Sequence, residues 1–462
     1  MPGSPRRLVI SCGMLTVAAA VIMPATVASA ASAPGYWVSS SGAAANASTS
    51  CATAGYSTVQ AAVTAAENYE SQHPGKVPVV DVCPGTYAEQ VTITKSLTVT
   101  RAPVAASQGD ATIKLPAGVG NNQLKGLSTT NCQATDGANK VQTPQSVLEV
   151  CAAKAGGGNT TGVKVTVSNL DIKGNWPGSV CYDSLYDVLV EGGASLNLTG
   201  STVEKAGAVS PLSGCQGGVG IEVGDDSTSQ VGHATLSRDT VQTYQKNGIT
   251  VDGKGSTTAI SQVTVTGAGP TGAIAQNGIQ LSDGATGSVA GSTVSGNNYT
   301  GPGGASSAGI LVFGGCGSPL VDQATVTRNT LTGNDIGIGL FNYDPTCVKS
   351  AGTATRDEAC WNVIKNANGY PGGKPSADAN LTGWTSTSPV VGYQAGISDV
   401  GRDDVICGNT ISGAGYAPLG TTSSLPKPAP PAFVRPIDTV STAAVAPSVF
   451  TNTYDGKQYL PS

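Results

Sequence analysis

Charged and aromatic residues are scarce in this chain of 462 residues. Charged residues make up 11% of it and aromatic residues 5%. The charge balance is acidic, with 29 Asp and Glu against 24 Lys and Arg. This balance argues against a nucleic acid or an anionic membrane surface as a partner, because both attract basic proteins. An acidic sugar is still allowed, because a local basic patch is enough to bind one.

Metal-binding residues other than carboxylates are also scarce. The chain has two histidines and no Cys-x-x-Cys pair, which argues against a zinc site. Its three methionines all lie within the first 23 residues, so handling of copper or another soft metal is not expected. The acidic residues could instead offer oxygen ligands, which suit Ca²⁺. The sequence points to no definite cofactor, and Ca²⁺ is the candidate that its carboxylates suit.

No run of helix-forming residues with a 3.6-residue period occurs between Val219 and Phe341. Instead, a segment of the form Gly, apolar, any residue, apolar recurs there five times, with short Thr-Val or Thr-Leu pairs in between. Such a period predicts a repeat fold, and it is too short for a propeller blade of about 40 residues. Because side chains alternate along a strand, coils stacked about 4.8 Å apart would bury both apolar residues inside a tube. The segments begin at Gly220, Gly248, Gly278, Gly309 and Gly337.

Three other segments carry a family resemblance. They read Ser-Arg-Asp-Thr-Val (237–241), Thr-Arg-Asn-Thr-Leu-Thr-Gly-Asn (327–334) and Cys-Gly-Asn-Thr-Ile-Ser-Gly (407–413). They resemble the coil consensus of the right-handed parallel β-helix superfamily, the pectate-lyase-like fold. The resemblance covers residues 79–415 and implies a fold rather than an activity, since one fold hosts many functions. The expected fold class is all-β, a right-handed parallel β-helix solenoid with a short N-terminal capping helix.

The two ends of the chain differ in composition from the repeats. Residues 1–33 are predicted to be a secretory signal peptide, with a basic start, an apolar stretch and small residues before the cleavage site. The protein is therefore expected to be secreted. The β-helix domain is expected over 34–415, and 416–462 is expected to be a Pro-rich tail. That tail could lie along the tube, cover its end or form a free linker.

One helix is predicted, from Thr58 to about Glu70, with Ser57 and Gln60 as its capping box. Together with the strands that follow, this region resembles the N-terminal cap of pectin-methylesterase-like β-helix proteins. A cap is needed because the end of a solenoid exposes an apolar cross-section.

Ten of the 11 cysteines lie beyond the predicted signal peptide. An even number in an exported chain predicts disulfide bonds rather than free thiols. Pairing of neighbours along the chain is our interpretation, although spacing alone leaves other pairings open. The neighbouring pairs are Cys51–Cys83, Cys132–Cys151, Cys181–Cys215, Cys316–Cys347 and Cys360–Cys407.

Acidic residues accompany the Gly-apolar-x-apolar segments. Glu222, Asp225, Asp226 and Asp252 are expected to face outward on neighbouring coils. Carboxylates one or two coils apart would be about 5 to 10 Å apart, the range that glycoside hydrolysis uses. Crowding would also raise one of their pKa values and create an acid. These four residues are the predicted catalytic or metal-binding carboxylates, although Asp in such a position is also a common turn former.

A base and a sugar platform are predicted on the same face. Lys254 is nearest in register to serve as the base of an elimination reaction, with Arg238 as the other choice. The coils that follow carry Phe313, Phe341 and Tyr343, which are predicted to stack on sugar rings.

Two more specific activities are disfavoured by missing motifs. The Val-Asp-Phe-Ile-Phe-Gly signature of pectin methylesterases is missing, and the Gly-His-Gly of polygalacturonases is replaced by Val-Gly-His-Ala around His233. The predicted function is binding, and cleavage by hydrolysis or elimination, of a polysaccharide or cell-surface glycan. The alternative is a non-enzymatic extracellular β-helix for structure or adhesion.

Overall fold

The structure is a computed structural model. It describes residues 34–41, 49–116, 145–152, 162–174, 176, 185–207, 211–299, 307–315, 318–321, 323–342, 354–366, 394–413, 434–439 and 447–459. The strands form three long sheets, whose pairings are parallel apart from one antiparallel pair near the C-terminus. From Val79 onward the chain visits sheets 1, 2 and 3 in turn, coil after coil. This order is that of a parallel β-helix and confirms the expected fold class.

Each sheet collects one strand from every coil. Sheet 1 contains Gly35–Val38, Val79–Val82, Leu97–Arg101, Lys164–Ser168, Ser195–Thr199, His233–Ser237, Thr257–Ser261, Thr286–Ala290, Thr325–Thr327, Glu358–Cys360, Val405–Cys407 and Ser448–Phe450. Sheet 2 contains Gly85–Ala88, Ala111–Lys114, Asp171–Lys173, Thr202–Glu204, Thr240–Gln242, Thr264–Thr271, Thr293–Tyr299, Thr330–Thr332, Val363–Lys365, Thr410–Ser412, Thr453–Tyr454 and Lys457–Gln458. Sheet 3 contains Val91–Ile93, Gln145–Cys151, Leu185–Glu191, Val219–Val223, Asn247–Asp252, Asn277–Ser282, Ala308–Phe313, Ile336–Phe341, Gln394–Asp399 and Val434–Thr439.

The recurring Gly-apolar-x-apolar segments are the sheet 3 strands. Their isoleucines stand in register and are fully buried, which forms one apolar ladder inside the tube. Complete burial of such a side chain contributes about 1.5–3 kcal/mol. The ladder consists of Ile221, Ile249, Ile279, Ile310 and Ile338.

Steric contacts explain why each of these segments carries a glycine. A Cβ on Gly278 would overlap Val294 Cγ1, which enters the tube from sheet 2, and would lie 2.6 Å from the carbonyl oxygen of Gly309 on the next coil. Gly248 and Gly309 meet the same two obstacles, a sheet 2 side chain and a glycine carbonyl. The glycine column therefore lets sheet 3 approach sheet 2 closely.

From the strand Lys164–Ser168 onward, sheets 1 and 2 are joined by a two-residue turn. The first residue has a positive φ and the second is buried; where the second is Asp or Asn, its side chain accepts from a backbone N–H of the coil before it. In the last coils that second residue is Asn329, Asn362, Asn409 or Asn452, each fully buried. Asn409 Oδ1, for example, accepts from Asn362 N at 2.9 Å and from Asn362 Nδ2 at 3.0 Å. This ladder satisfies backbone groups that no strand reaches.

The capping helix spans Val59–Gln72 and begins one residue later than predicted. The predicted capping box of Ser57 and Gln60 is wrong. Thr58 is the N-cap and accepts from Ala61 N, while the Glu89 carboxylate accepts from Val59 N at 2.8 Å and from Gln60 N at 2.9 Å. The buried face of the helix consists of Val59, Ala62, Val63 and Ala66.

Two predicted disulfides are confirmed, Cys51–Cys83 and Cys360–Cys407. Cys151 and Cys215 are also disulfide-bonded, and their predicted partners lie outside the described residues, as do Cys316 and Cys347. The predicted signal peptide lies outside them too. In the part of the chain that the structure describes, no helix is long and apolar enough to span a membrane.

The region predicted as a tail contributes strands. Val434–Thr439 pairs with the preceding sheet 3 strand, and Ser448–Phe450 pairs with the preceding sheet 1 strand. Thr453–Tyr454 then adds to sheet 2 and turns back on Lys457–Gln458 in the antiparallel pair. These segments therefore continue the coils of the solenoid.

Candidate functional site

Acidic side chains gather where sheet 3 strands end and the chain turns toward sheet 1. Glu222 lies in the middle of its strand and stands in register with Thr250 and Gln280. Asp225 and Asp226 follow that strand, and Asp252 ends the next one. The structure thus brings together the four predicted carboxylates, and we call them, with Asp283, the acidic cluster.

Hydrogen bonds fix the carboxylates of this cluster. Asp252 Oδ2 accepts from the backbone N–H of Asp226 at 2.9 Å, and its Oδ1 accepts from Ser282 Oγ at 2.8 Å. Asp225 Oδ1 accepts from Ser227 Oγ at 2.6 Å. Two donors on one carboxylate hold the side chain of Asp252 in a fixed orientation.

Asp283 was not among the predicted site residues, although it follows the next sheet 3 strand in the position of the other acids. Its carboxyl lies against that of Asp252, and it also accepts a hydrogen bond from Ser318. Partial burial and the neighbouring Asp252 raise the pKa of Asp283 to about 6. No N–H or hydroxyl donor reaches Asp283 Oδ1. The contact between the two carboxyls therefore favours the protonated form of Asp283.

Glu222 lies deeper than the aspartates. It is 5% exposed, and burial raises its pKa well above the usual range, with further contributions from Asp252 and Asp225. A hydrogen bond from Thr250 opposes this shift only in part. Burial therefore favours the neutral, protonated form of Glu222.

A second carboxyl pair extends the acidic surface toward the N-terminus. Glu149 and Glu191 lie on adjacent sheet 3 strands, and both are 1% exposed. Their carboxyls contact each other, while no donor reaches Oε1 of either residue. Burial raises the pKa of Glu149 well above its usual range and that of Glu191 to about 7, with Asp225 adding to the second shift.

Sequence reasoning missed this pair. Glu149 stands in the same outward column as Glu222, with Leu189 between them. If the coils were evenly spaced in the sequence, this column of outward positions could have been traced from Glu222 back to Glu149. The strands that carry Glu149 and Glu222 are instead separated by long and unequal stretches, so their register was not visible.

A network of amides and hydroxyls continues the surface beyond the acids. Asn247 Nδ2 donates to Thr250 Oγ1 and to Gln280 Oε1, both at 3.1 Å. Asn277 Nδ2 donates to the same Gln280 oxygen at 3.2 Å, and Gln280 Nε2 donates to Ser282 Oγ at 3.1 Å. This network reaches Asp252 through Ser282. It places hydrogen-bond donors and acceptors along the outer face of sheet 3.

The predicted sugar platforms differ in exposure. Phe313 and Phe341 pair on adjacent strands, but Phe313 is 45% exposed while Phe341 is 6% exposed. Phe313 is therefore the accessible ring of the two. Tyr343 lies outside the described residues.

Lys254 lies beside the acidic cluster without pairing with it. Its side chain is exposed, and its backbone lies close to Gly284, which follows Asp283. The salt bridges found among the described residues join Lys173 to Asp171 and to Glu204, on another sheet. The negative charge of the acidic cluster thus has no basic partner within the described part of the chain.

The carboxylates that could suit Ca²⁺ do not gather into a group of metal ligands in the described part of the chain. Among the described residues, no group of three or more His, Cys, Asp or Glu side chains is placed to hold a metal ion. The carboxyls of the acidic cluster are instead bound to hydroxyls, backbone N–H groups or one another.

Comparisons with known proteins concern the fold. No protein-family model and no curated protein matches the chain. Solved structures do match. Pectate lyase Pel9A is 14% identical with a TM-score of 0.40, covering 84% of this chain and 79% of its own. XylC with xylose is 10% identical with a TM-score of 0.43, covering 82% and 69%. A rhamnogalacturonan lyase is 13% identical with a TM-score of 0.39, covering 93% and 89%.

Proposed function

We propose that the protein binds a polysaccharide along the outer face of sheet 3 and hydrolyses it at the acidic cluster. The observation that carries the proposal is the contact between Asp252 and Asp283, two partly exposed carboxyls, which favours a proton on Asp283. A group with a pKa of about 6 can both give and take a proton near neutral pH, which is what general acid–base catalysis requires.

The roles follow from exposure and charge. Asp283 gives its proton to the glycosidic oxygen as the bond between that oxygen and the anomeric carbon breaks. Water adds to the anomeric carbon and loses its proton to Asp226, the exposed carboxylate whose backbone binds Asp252. Asp252, held by its two hydrogen bonds, stabilises the positive charge that develops on the sugar ring. Glu222 lies beneath them, and burial favours its neutral form, which limits the negative charge of the acidic cluster.

The surface around the acidic cluster suits a neutral glycan. Gln280 is partly exposed and offers an amide to sugar hydroxyls, and Phe313 offers an apolar face. A polyuronate would bring more negative charge to carboxylates that have no basic partner among the described residues. We therefore expect neutral polysaccharides to be preferred.

A second candidate reaction is elimination. Lys254 lies next to Asp283 and is the nearest exposed amine, so it could remove the proton that elimination requires. The substrate would then be a uronate, and a cation such as Ca²⁺ would have to offset its charge. Elimination stands second because the described residues form no three-ligand metal group.

The products distinguish these reactions. The purified chain would be incubated with arabinoxylan, mixed-linkage β-glucan, polygalacturonate and alginate, with and without Ca²⁺. New reducing ends without ultraviolet absorbance would support hydrolysis. New absorbance from unsaturated sugars would show that the reaction is elimination instead. Binding without any product would leave a glycan-binding protein, and neither binding nor product would favour the structural or adhesive alternative.

A further inference from the structure

An exposed tryptophan occupies an unusual place in the turn between sheets 1 and 2. Trp361 has a φ of 62°, in the left-handed region that bulky residues avoid. Such a conformation costs on the order of 1–2 kcal/mol. Equivalent turns of the other described coils place there glycines or one of the polar residues Asn169, Arg238, Gln262, Arg328 and Thr451, so Trp361 is the one aromatic residue at this position in those coils. A strained bulky residue that is also 54% exposed requires an explanation beyond packing.

The ring of Trp361 lies flat on the next coil. Gly408 holds the same turn position there, and a Cβ on it would overlap the six-membered ring of Trp361. The glycine therefore supports one face of the indole, and the other face remains open to solvent. The backbone beneath is anchored, because Trp361 N donates to Cys407 O at 2.8 Å and the disulfide Cys360–Cys407 joins the two coils. Trp361 is thus a rigid, outward-facing aromatic platform.

Neighbouring side chains extend this platform. Phe450 is 47% exposed at the end of a sheet 1 strand, and Val363 is 46% exposed at the start of a sheet 2 strand. Arg328 holds the turn position one coil earlier, about 4.8 Å away along the tube, and its side chain is exposed. None of the ion pairs among the described residues involves Arg328. Its guanidinium N–H donors are therefore available beside the ring.

We propose that Trp361 and Arg328 form a second polysaccharide-binding site, separate from the acidic cluster. The C–H face of a pyranose ring packs on the indole, and Arg328 donates to the oxygens of the same or the next sugar. A protein partner is disfavoured because a stable interface buries about 800 Å² on each side, far more than three exposed apolar side chains offer. This site holds the chain of the glycan outside the region where the acidic cluster would act.

The test uses a substitution that the fold already tolerates. Trp361→Asn places at this position the residue that Asn169 supplies in an earlier coil at a φ of 57°, so the backbone is preserved. Val77→Asn removes a side chain that is 52% exposed in the first coils and serves as the matched control. Binding to arabinoxylan, mixed-linkage β-glucan and polygalacturonate would be measured by affinity electrophoresis, and intrinsic fluorescence would be recorded in the same titrations.

We expect at least one of these polysaccharides to bind the wild type, and Trp361→Asn to weaken that binding about tenfold, which corresponds to about 1.4 kcal/mol. Arg328→Gln should weaken it less, and Val77→Asn should leave it unchanged. The fluorescence change of the wild type should be lost in Trp361→Asn, with its melting temperature equal to or above that of the wild type. Wild-type affinity in Trp361→Asn, or no binding of any of the three polysaccharides, would overturn the proposal. Phe313→Ser changes the exposed aromatic ring at the acidic face instead. Comparing it with Trp361→Asn therefore distinguishes failure of this second site from failure of the proposed hydrolytic site.

Discussion

Glu149 and Glu191 lie with their carboxyls in contact on adjacent strands of sheet 3, both almost completely buried. Two carboxylates in such a place cannot both be ionised at a low energetic cost, so the pair retains a proton. Asp399 and Asp404 repeat this arrangement near the C-terminal end, again with no donor on Oδ2 of either residue. Shared protons are therefore a recurring feature where sheet 3 meets sheet 1.

This feature predicts that stability falls as pH rises. The pKa of Glu191 is about 7 in the folded chain and near 4.5 when unfolded, so the folded state binds the proton more tightly. Its contribution to stability is fully present below pH 4.5 and is lost as pH rises through 7, with a magnitude of about 3 kcal/mol. Glu191→Gln should reduce the loss of unfolding free energy between pH 5 and pH 8, measured by urea denaturation at each pH.

Two comparisons make that experiment specific. Glu358→Gln, outside both carboxyl pairs, should change the pH dependence by less than about 0.5 kcal/mol. Part of the pH dependence should persist in Glu191→Gln, because the pair formed by Asp399 and Asp404 is intact. A wild type that is as stable at pH 8 as at pH 5 would contradict the shared-proton interpretation.

The ladder formed by Asn329, Asn362, Asn409 and Asn452 predicts that replacing a single side-chain atom strongly lowers the stability of the fold. Asn362 Nδ2 donates to Val326 O at 2.9 Å and to Asn409 Oδ1 at 3.0 Å. Asn362→Asp would turn this nitrogen into an oxygen that faces two acceptors in a buried site. We expect a loss of about 3 kcal/mol at pH 7 and a smaller loss at pH 4, where the new carboxyl is protonated.

Asp239 explains why an acid is tolerated elsewhere in the same ladder. Its two oxygens accept from Ser201 N and Ser237 N, both at 2.9 Å, so its neighbours are donors. The control for Asn362→Asp is Asn362→Ala, which leaves the same partners unsatisfied but adds no charge. If both variants lose equal stability at pH 7 and at pH 4, the ladder does not act through the polarity of this atom.

The glycine column predicts that one methyl group in sheet 3 is strongly destabilising. Gly278→Ala would drive a Cβ into Val294 and the carbonyl of Gly309. Overpacking of this kind lowers the free energy of unfolding by about 1–3 kcal/mol. Gly75→Ala is the control, because Gly75 has a φ of 82° but open space around it, so it measures backbone strain alone. A loss in Gly278→Ala no larger than that of the control would refute the close-approach explanation.

The sequence predicted the fold because its period is visible in short segments. The ladder of Ile221, Ile249 and Ile279 follows directly from strand alternation, and the carboxylates Asp226 and Asp252 follow from the same register. Contacts between distant segments were not predictable in this way. The Glu89 carboxylate that caps the helix lies 30 residues from Val59, so no local capping pattern contains it.

The contact between the carboxyls of Asp252 and Asp283 was the other feature that the sequence could not predict. Asp283 was visible as a turn residue, but only the structure shows that its carboxyl meets that of Asp252. Turn residues of this kind are usually solvated, and their pairing depends on the angle at which each chain leaves the strand. Register predicts which residues are neighbours, whereas side-chain direction decides which of them interact.

The most direct test of the account is the pH dependence of polysaccharide cleavage by the wild type and by Asp283→Asn. The variant keeps the size of the side chain but has no carboxylic proton to supply, and Asp110→Asn, at an exposed position, is the matched control. We expect wild-type activity to depend on a group with an apparent pKa of about 6. Asp283→Asn should lose about 100-fold or more of that activity, and Asp110→Asn should lose none. Full activity in folded Asp283→Asn would contradict the central claim that the pair formed by Asp252 and Asp283 performs the cleavage.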